Sequence, residues 1–342
     1  MHIGGLLSYL VSFAIMASIY AVFSLGLNIQ WGYTGLFNIG IAGFFCIGAY
    51  VSSLITMPKP TGLYADYVSV LFALNLPFPL GLLGAAVMCG IIAYLIGIPT
   101  LTLGEDYLAI ATIGIAETVR LIFNNEQWLA NGPRGFAGVP QPLSGLVASR
   151  YYNYLYLIIV LLILGVLYLL TERAIRSPWG RVLRAIREDE VSASMSGKKI
   201  SSFKMQSFVF GAMVMGIGGA LYAHYTKAIS PDVFTPLYGT FIIWVMVIAG
   251  GSGNNKGVIL GAFVVWAIWI GTQFLTSYLP YTLKARAPYI RFLLIGILLE
   301  LILIYRPRGL LGEEKAVSRM MDQERGRGRF LKRKSRVSGQ IE

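Results

Sequence analysis

The sequence predicts an all-α membrane protein, a polytopic transmembrane helical bundle of about 8–10 spans that includes broken helices and a cytoplasmic helical segment. Three observations carry this. Of the 342 residues, 56% are hydrophobic and only 13% charged, with a mean hydropathy of +0.66, which is more apolar surface than a water-soluble core can hide. Runs long enough to cross roughly 30 Å of hydrocarbon recur along the whole chain instead of once or twice. The charges, finally, are gathered rather than spread. Between Glu172 and Lys204 there are eight Lys/Arg against four acids, and between Arg306 and Glu342 eleven against five, so these two segments hold 19 of the 28 basic residues. Membrane proteins keep such segments on the cytoplasmic side, and this placement explains the net charge of +12 without a nucleic-acid partner.

In chain order, apolar runs predict spans at 6–27, 35–56, 78–98, 107–123, 154–171, 206–226, 237–250, 257–279 and 288–305. The first run has no basic n-region before it and no convincing cleavage site after it, so it reads as a retained span. Runs 107–123 and 237–250 fall short of the roughly 20 residues of a straight crossing, and predict tilted, broken or re-entrant helices. Glycine clusters inside apolar runs, at Gly35, Gly40, Gly43 and Gly48 and again at Gly211, Gly216, Gly218 and Gly219. Close helix packing accounts for most such positions. For 32–48 a broken helix lining a pathway is also expected, and 32–48 and 239–261 are candidates for corresponding positions of an inverted repeat. Fixing both basic segments in the cytoplasm leaves four crossings between residues 205 and 306, as the runs supply, and puts the N-terminus outside and the C-terminus inside. Residues 1–305 are thus one membrane domain with a cytoplasmic segment at 172–205, and 306–342 form a basic cytoplasmic tail whose stretch Arg325 to Arg336 suits anionic membrane lipids.

Enzyme chemistry is not indicated. Gly250 to Gly257 is superficially like a phosphate loop, but Asn255 stands where the glycine before the lysine belongs and Gly257 where Ser or Thr belongs, so it reads as a turn. The two histidines and two cysteines form no hydrolase or metal pattern, and Cys46 and Cys89 lie in apolar runs that do not suggest a disulfide. No catalytic residue, metal site or bound cofactor is expected. Ionisable groups inside spans are costly, which singles out Glu117, Arg120, His224 and Glu300. Glu117 and Arg120 are three apart on one helix; a structural ion pair and recognition of a zwitterionic substrate both fit. His224 reads as a satisfied or snorkelling side chain, and Glu300 has Arg291 and Arg306 on flanking turns. The segment Arg181 to Gly197 is charged, helix-favouring and ends in glycine, as a short surface helix with a C-terminal stop does.

Several ordered stretches carry a resemblance. They are Trp31 to Gly40 running to Phe44 and Gly48-Ala-Tyr50, Asp106 to Ile110 with Glu117-Thr-Val-Arg120, Asn124-Asn125 and Gly132-Pro-Arg-Gly135. Further on come Arg184 to Glu190, Gly219 to Tyr222, Ile229-Ser-Pro231 and Arg306 to Leu310. Across nearly its whole length the chain resembles the branched-chain amino acid permease family of ABC importers, in particular the longer of its two usual membrane subunits. The resemblance implies a coupling helix carried on Arg187, Glu188, Asp189, Glu190, Ala193 and Gly197, with the Ala and the Gly contacting an ATPase subunit. Gly35, Asn38 and Gly40, from the broken-helix reading of 32–48, and Glu117 and Arg120, from their charge and spacing within a span, are the candidate pathway residues. The resemblance further implies a homologous second permease chain, two ATP-binding subunits that use ATP and Mg, an external solute-binding protein, and a bacterial or archaeal plasma (inner) membrane. Lys198-Lys199 after the glycine, and Asn38 and Ile41 in the early motif, depart from the usual pattern. Neutral or branched-chain amino acids are the expected substrates. A permease for urea or short amides, a sugar permease of the wider superfamily and an ion-coupled secondary transporter are the alternatives.

Overall fold

The computed structural model describes residues 3–59, 72–102, 104–277 and 286–313; the tail stretch Arg325 to Arg336 lies outside them. Each apolar run folds as helix. In chain order these are α1 (Ile3–Leu27), α2 (Ile41–Thr56), α3 (Phe78–Thr100), α4 (Glu105–Asn125) and α5 (Tyr152–Arg176), then the polar pair α6 (Pro178–Glu188) and α7 (Glu190–Met195). They are followed by α8 (Ile200–Thr226), α9 (Ile242–Gly250), α10 (Asn255–Ser277) and α11 (Ala287–Tyr305). Among the described residues, five of them, α1, α3, α5, α8 and α10, are long and apolar enough to cross a membrane by themselves, whereas α2 and the stretch ending in α9 are shorter apolar helices.

Packing sorts them. In α1 and α8, 72% of the most apolar window is buried, against 28% in α5, so α1 and α8 form the centre and α5 turns most of its surface outward. Glycine makes the central contacts possible: a Cβ on Gly48 of α2 would collide with the Gly216 backbone of α8, and one on Gly26 of α1 would lie 2.8 Å from the Gly211 carbonyl. The packing reading of these glycines therefore holds, as expected where no hydrophobic force separates helix from lipid.

Three departures from the sequence reading matter. The run 35–56 is helical only from Ile41; α1 ends in a π-turn at Asn28–Gly32, and residues 33–40 are irregular, so the broken helix expected within 32–48 lies at its N-terminal part. The segment 181–197 is two helices, because the Asp189 carboxylate leaves the first helix to accept from the amides of Val191 (2.9 Å) and Ser192 (3.2 Å) and caps the second. Gly197, at φ +76°, then stops α7, as a C-terminal glycine does. One two-residue strand pair, β1 (Phe136–Ala137) against β2 (Ala228–Ile229), pairs the residues just after Gly135 with those at the start of the Ile229-Ser-Pro231 stretch. Residues 309–311 pack back on the turn after α9, with the amides of Leu310 and Leu311 donating to the carbonyls of Ala249 (2.8 Å) and Gly250 (3.0 Å).

Candidate functional site

Buried irregular backbone must find hydrogen-bond partners within the protein, and the largely buried break at 33–40 finds them from several helices. Asn38 holds its centre. Its Nδ2 donates to Gln30 Oε1 and its Oδ1 accepts from the Gly40 amide, both at 2.7 Å, while Gln30 Nε2 donates to the Phe208 carbonyl of α8 at 2.7 Å. The Ile39 amide donates to Thr112 Oγ1 of α4 at 3.1 Å. From the second Gly-interrupted region, Thr240 Oγ1 accepts from the Ala42 amide (3.0 Å) and donates to the Ile39 carbonyl (3.1 Å), and Trp244 Nε1 donates to the Asn38 carbonyl (3.1 Å). The two interrupted regions thus lie against each other.

One end of the break is tied to a second amide cluster. Asn28 Oδ1 accepts from the Gly253 amide and Asn28 Nδ2 donates to Asn255 Oδ1, both at 2.9 Å. Asn255 Nδ2 in turn donates to Glu172 Oε2 at 2.9 Å, and the other carboxylate oxygen of Glu172 pairs with Arg176 at 2.7 Å. This chain links the ends of α1 and α5 to the start of α10.

The polar helix α6 sits under the same break. Its Trp179, Leu183 and Ile186 fall at i, i+4, i+7, the spacing of one helix face, and Leu183 clusters with Tyr33 of the break and Ile175 of α5. The Arg184 guanidinium lies 5.7 Å from the centre of the Tyr33 ring. Arg187 Nη1 donates to the Gly32 carbonyl, and a Cβ on Gly35, whose φ is +81°, would stand 3.3 Å from Arg187 Cγ. Gly35, Asn38, Gly40 and Arg187 are therefore brought into one neighbourhood.

The remaining candidates divide. Glu188 is exposed, and Asp189 serves as the cap described above. Its carboxyl is held below the usual value of 3.8 by hydrogen bonds from the Ser192 hydroxyl and the amides of Ser192 and Val191. Glu190 pairs with Lys204 of α8. Ala193 is buried within the chain, whereas Gly197 is exposed, and the large apolar side chains that α7 presents are Val191 and Met195, 61% and 83% exposed. Glu117 and Arg120 stand apart from the break as a forked ion pair, with Arg120 Nη2 to Glu117 Oε1 at 2.5 Å and Arg120 Nε at 3.0 Å from both carboxylate oxygens. Arg120 also reaches toward Asp232 at 4.0 Å. His224 is buried and satisfied at both ring nitrogens, by Ser52 Oγ (2.9 Å) and the Pro140 carbonyl (2.7 Å).

Asn28, Gln30, Thr112 and Asn255 are neutral and so do not stand out as ionisable groups within spans do, and Glu172 belongs by sequence to the charged segment 172–205. Neutral amides at the end of an apolar run were the available signal. Among the described residues no three His, Cys, Asp or Glu gather as metal ligands. The arrangement satisfies the irregular backbone from within the chain and joins it to α6.

Residues 9–303 match the family model described as the permease component of the branched-chain amino acid transport system. A probable branched-chain amino acid transport permease protein of Methanocaldococcus jannaschii is 31% identical over 327 residues, 90% of this chain and 94% of the relative. High-affinity branched-chain amino acid transport system permease proteins of Salmonella typhimurium and Escherichia coli are each 32% identical over 324 residues, 88% of this chain and 69% of theirs. No solved structure matches the chain.

Proposed function

The chain belongs to the family of permease components of branched-chain amino acid transport systems, and from that premise we propose that it is the membrane subunit of an ATP-driven importer of neutral or branched-chain amino acids. It is a multi-pass membrane protein of the transport machinery, and component status implies partner subunits in general. Our reading supplies the rest: a homologous second permease, two ATP-binding subunits that hydrolyse ATP with Mg, and an external solute-binding protein. The orientation that goes with it places the N-terminus outside and the α6–α7 segment in the cytoplasm.

One observation carries the mechanism. The polar segment that a cytoplasmic partner would push is in direct contact with the discontinuity in the membrane helices, through Arg187 on Gly32 and Gly35 and Leu183 against Tyr33. A displacement of α6 must move the break or strip its hydrogen bonds, which is how a small shift at a surface element becomes a rearrangement of packed helices. On this reading Val191 and Met195 of α7 are the apolar residues a partner covers, and Gly197 is the close-approach point beside them.

Reconstitution with candidate ATP-binding subunits in vesicles tests the proposal. Leucine uptake that requires ATP, and is lost with Gly197→Glu while the protein remains inserted, is the expected result. Nothing lies within 4 Å of a Cβ at Gly197, so that substitution meets no internal clash beyond the strained φ. Gradient-driven uptake by this chain alone, indifferent to ATP, would overturn the mechanism in favour of a secondary transporter.

A further inference from the structure

At the end of the bundle that carries the loops after α4 and α8, the helices are closed by aromatic rings that the loops themselves supply. Tyr50 of α2, wholly buried, stacks on Phe123 of α4 with ring centres 4.3 Å apart. It also meets Phe136 of β1 at 5.6 Å and Phe234 of the turn Pro231–Phe234 at 5.8 Å, and Phe234 packs on Phe45 of α2 at 4.8 Å. Phe136 and Phe234 ride on one unit. β1 pairs with β2, the Gly138 and Val139 amides both donate to the Lys227 carbonyl (2.9 and 3.0 Å), and a Cβ on Gly135, whose φ is +63°, would collide with the Ile229 carbonyl. The charged tie from this unit to α4, Arg120 to Asp232, is 4.0 Å long with Asp232 82% exposed, and such a pair holds little.

Two hydroxyls at the cluster lack a partner. Tyr50 Oη and Thr235 Oγ1, the latter on the residue after Phe234, are buried without a hydrogen bond among the described residues. Unpaired buried polar groups are rare in folded proteins and call for a reason. A state in which the rings part supplies one, since it gives both hydroxyls to water or to a passing solute. The chain after Phe234 then follows α2 inward. Cys46 lies one turn from Tyr50 on the same face, and Ala42 a turn further. A Cβ on Gly239 would stand 2.9 Å from Ala42 Cβ, and Thr240 holds both the Ala42 amide and the Ile39 carbonyl of the break. These contacts come from the π-turn Leu237–Phe241, a geometry frequent at functional sites.

Resting on the transport function and orientation proposed above, we propose that Phe136 and Phe234 form the outer lid of the substrate pathway. The loop pair withdraws as a unit, uncovers the Tyr50 and Thr235 hydroxyls, and opens α2 down to Cys46. Because the same chain continues to Thr240, the lid and the break move together, and Arg187 joins both to α6.

Native Cys46 is the reporter, and native Cys89, buried on α3, is the control for unfolding. The assembled transporter in right-side-out vesicles is treated with a charged, membrane-impermeant methanethiosulfonate, and each cysteine is read by peptide mass spectrometry. Phe234→Ala, which removes two ring contacts, should raise the resting labelling rate of Cys46 about tenfold while Cys89 stays silent. In the native chain, turnover should raise Cys46 labelling above the resting rate. Tyr50→Phe deletes the unpaired hydroxyl, so it should favour the closed lid and slow Cys46 labelling during turnover several-fold. Cys46 that stays silent during turnover, or in a folded Phe234→Ala variant, overturns the proposal, as does a Tyr50→Phe rate at or above the native one. Should Phe234→Ala label both cysteines, the variant has unfolded and the native turnover measurement decides. Resting labelling needs no energy source. Reactive Cys46 in Phe234→Ala with uptake that ignores ATP keeps the lid and sinks the ATP-driven mechanism, and silent Cys46 with ATP-dependent uptake does the reverse.

Discussion

Replacing Asn28 by Ala removes a side chain that fastens the π-turn of α1 to the start of α10. Two buried groups lose their partner at once, the Gly253 amide and Asn255 Oδ1, each bonded at 2.9 Å. Asn28 and Asn255 are essentially inaccessible to solvent, so water does not restore those bonds. A buried polar group left unpaired costs about 1–3 kcal/mol, which gives roughly 2–6 kcal/mol for the pair. At about 2 °C per kcal/mol for a chain of this size, the apparent melting temperature should fall by roughly 4–12 °C. The native thiols supply the assay: Cys46 and Cys89 are buried, and a thiol-reactive fluorogenic dye reports their exposure on heating in detergent. Asn255→Ala should lower the transition too, since it strands Asn28 Nδ2 and Glu172 Oε2. The double variant should lose less than the sum of the singles, because the stranded partners are removed together. A shift under about 1 °C for Asn28→Ala, or strict additivity in the double variant, would refute the claim that this amide chain is a structural tie.

The packing reading of glycine is checked by a contrast: Gly48→Ala, which pushes a methyl into the Gly216 backbone, should lower the melting temperature, while Gly114→Ala, with nothing within 4 Å, should leave it unchanged; equal effects would count against it. Overpacking of this kind costs about 1–3 kcal/mol. Arg187→Ala should reduce ATP-dependent uptake while ATP hydrolysis by the assembled complex continues, since the donor to the Gly32 carbonyl is lost and the α7 surface is kept; parallel loss of both activities would mean the residue only supports assembly. The Asp189 carboxyl has a lowered value in the folded chain, so its capping contribution is fully present above the ordinary 3.8 and disappears only as pH falls through the lower folded value. A carboxyl carbon NMR titration of Asp189 with its midpoint at or above 3.8 would contradict the cap.

The amino-acid order determined a good deal about this protein by itself. Burying apolar side chains in lipid is a local matter, run by run, so each predicted run is helical over most of its described residues, with 35–40 the exception, and the charged helix-favouring segment 181–197 is helical with its stop at Gly197. Ordered motifs carried the family in the same way, since each stretch is read where it stands. Tertiary structure decided what depends on partners far away in sequence. Residues 33–40 leave the helix because Ser207, Thr112, Thr240 and Trp244 satisfy their polar groups, and none of those positions is visible from the run 35–56. Asp189 divides the polar segment because its carboxylate can cap a new helix start, a choice that propensity alone left open. Only the fold showed that Arg187 touches Gly32 and Gly35, that Ala193 turns inward while Val191 and Met195 face out, and that Phe136 and Phe234 close over Tyr50. The reason is physical: a helix is specified by its own neighbours along the chain, whereas a break in one, and the ring cluster above it, exist only by virtue of what packs across from them.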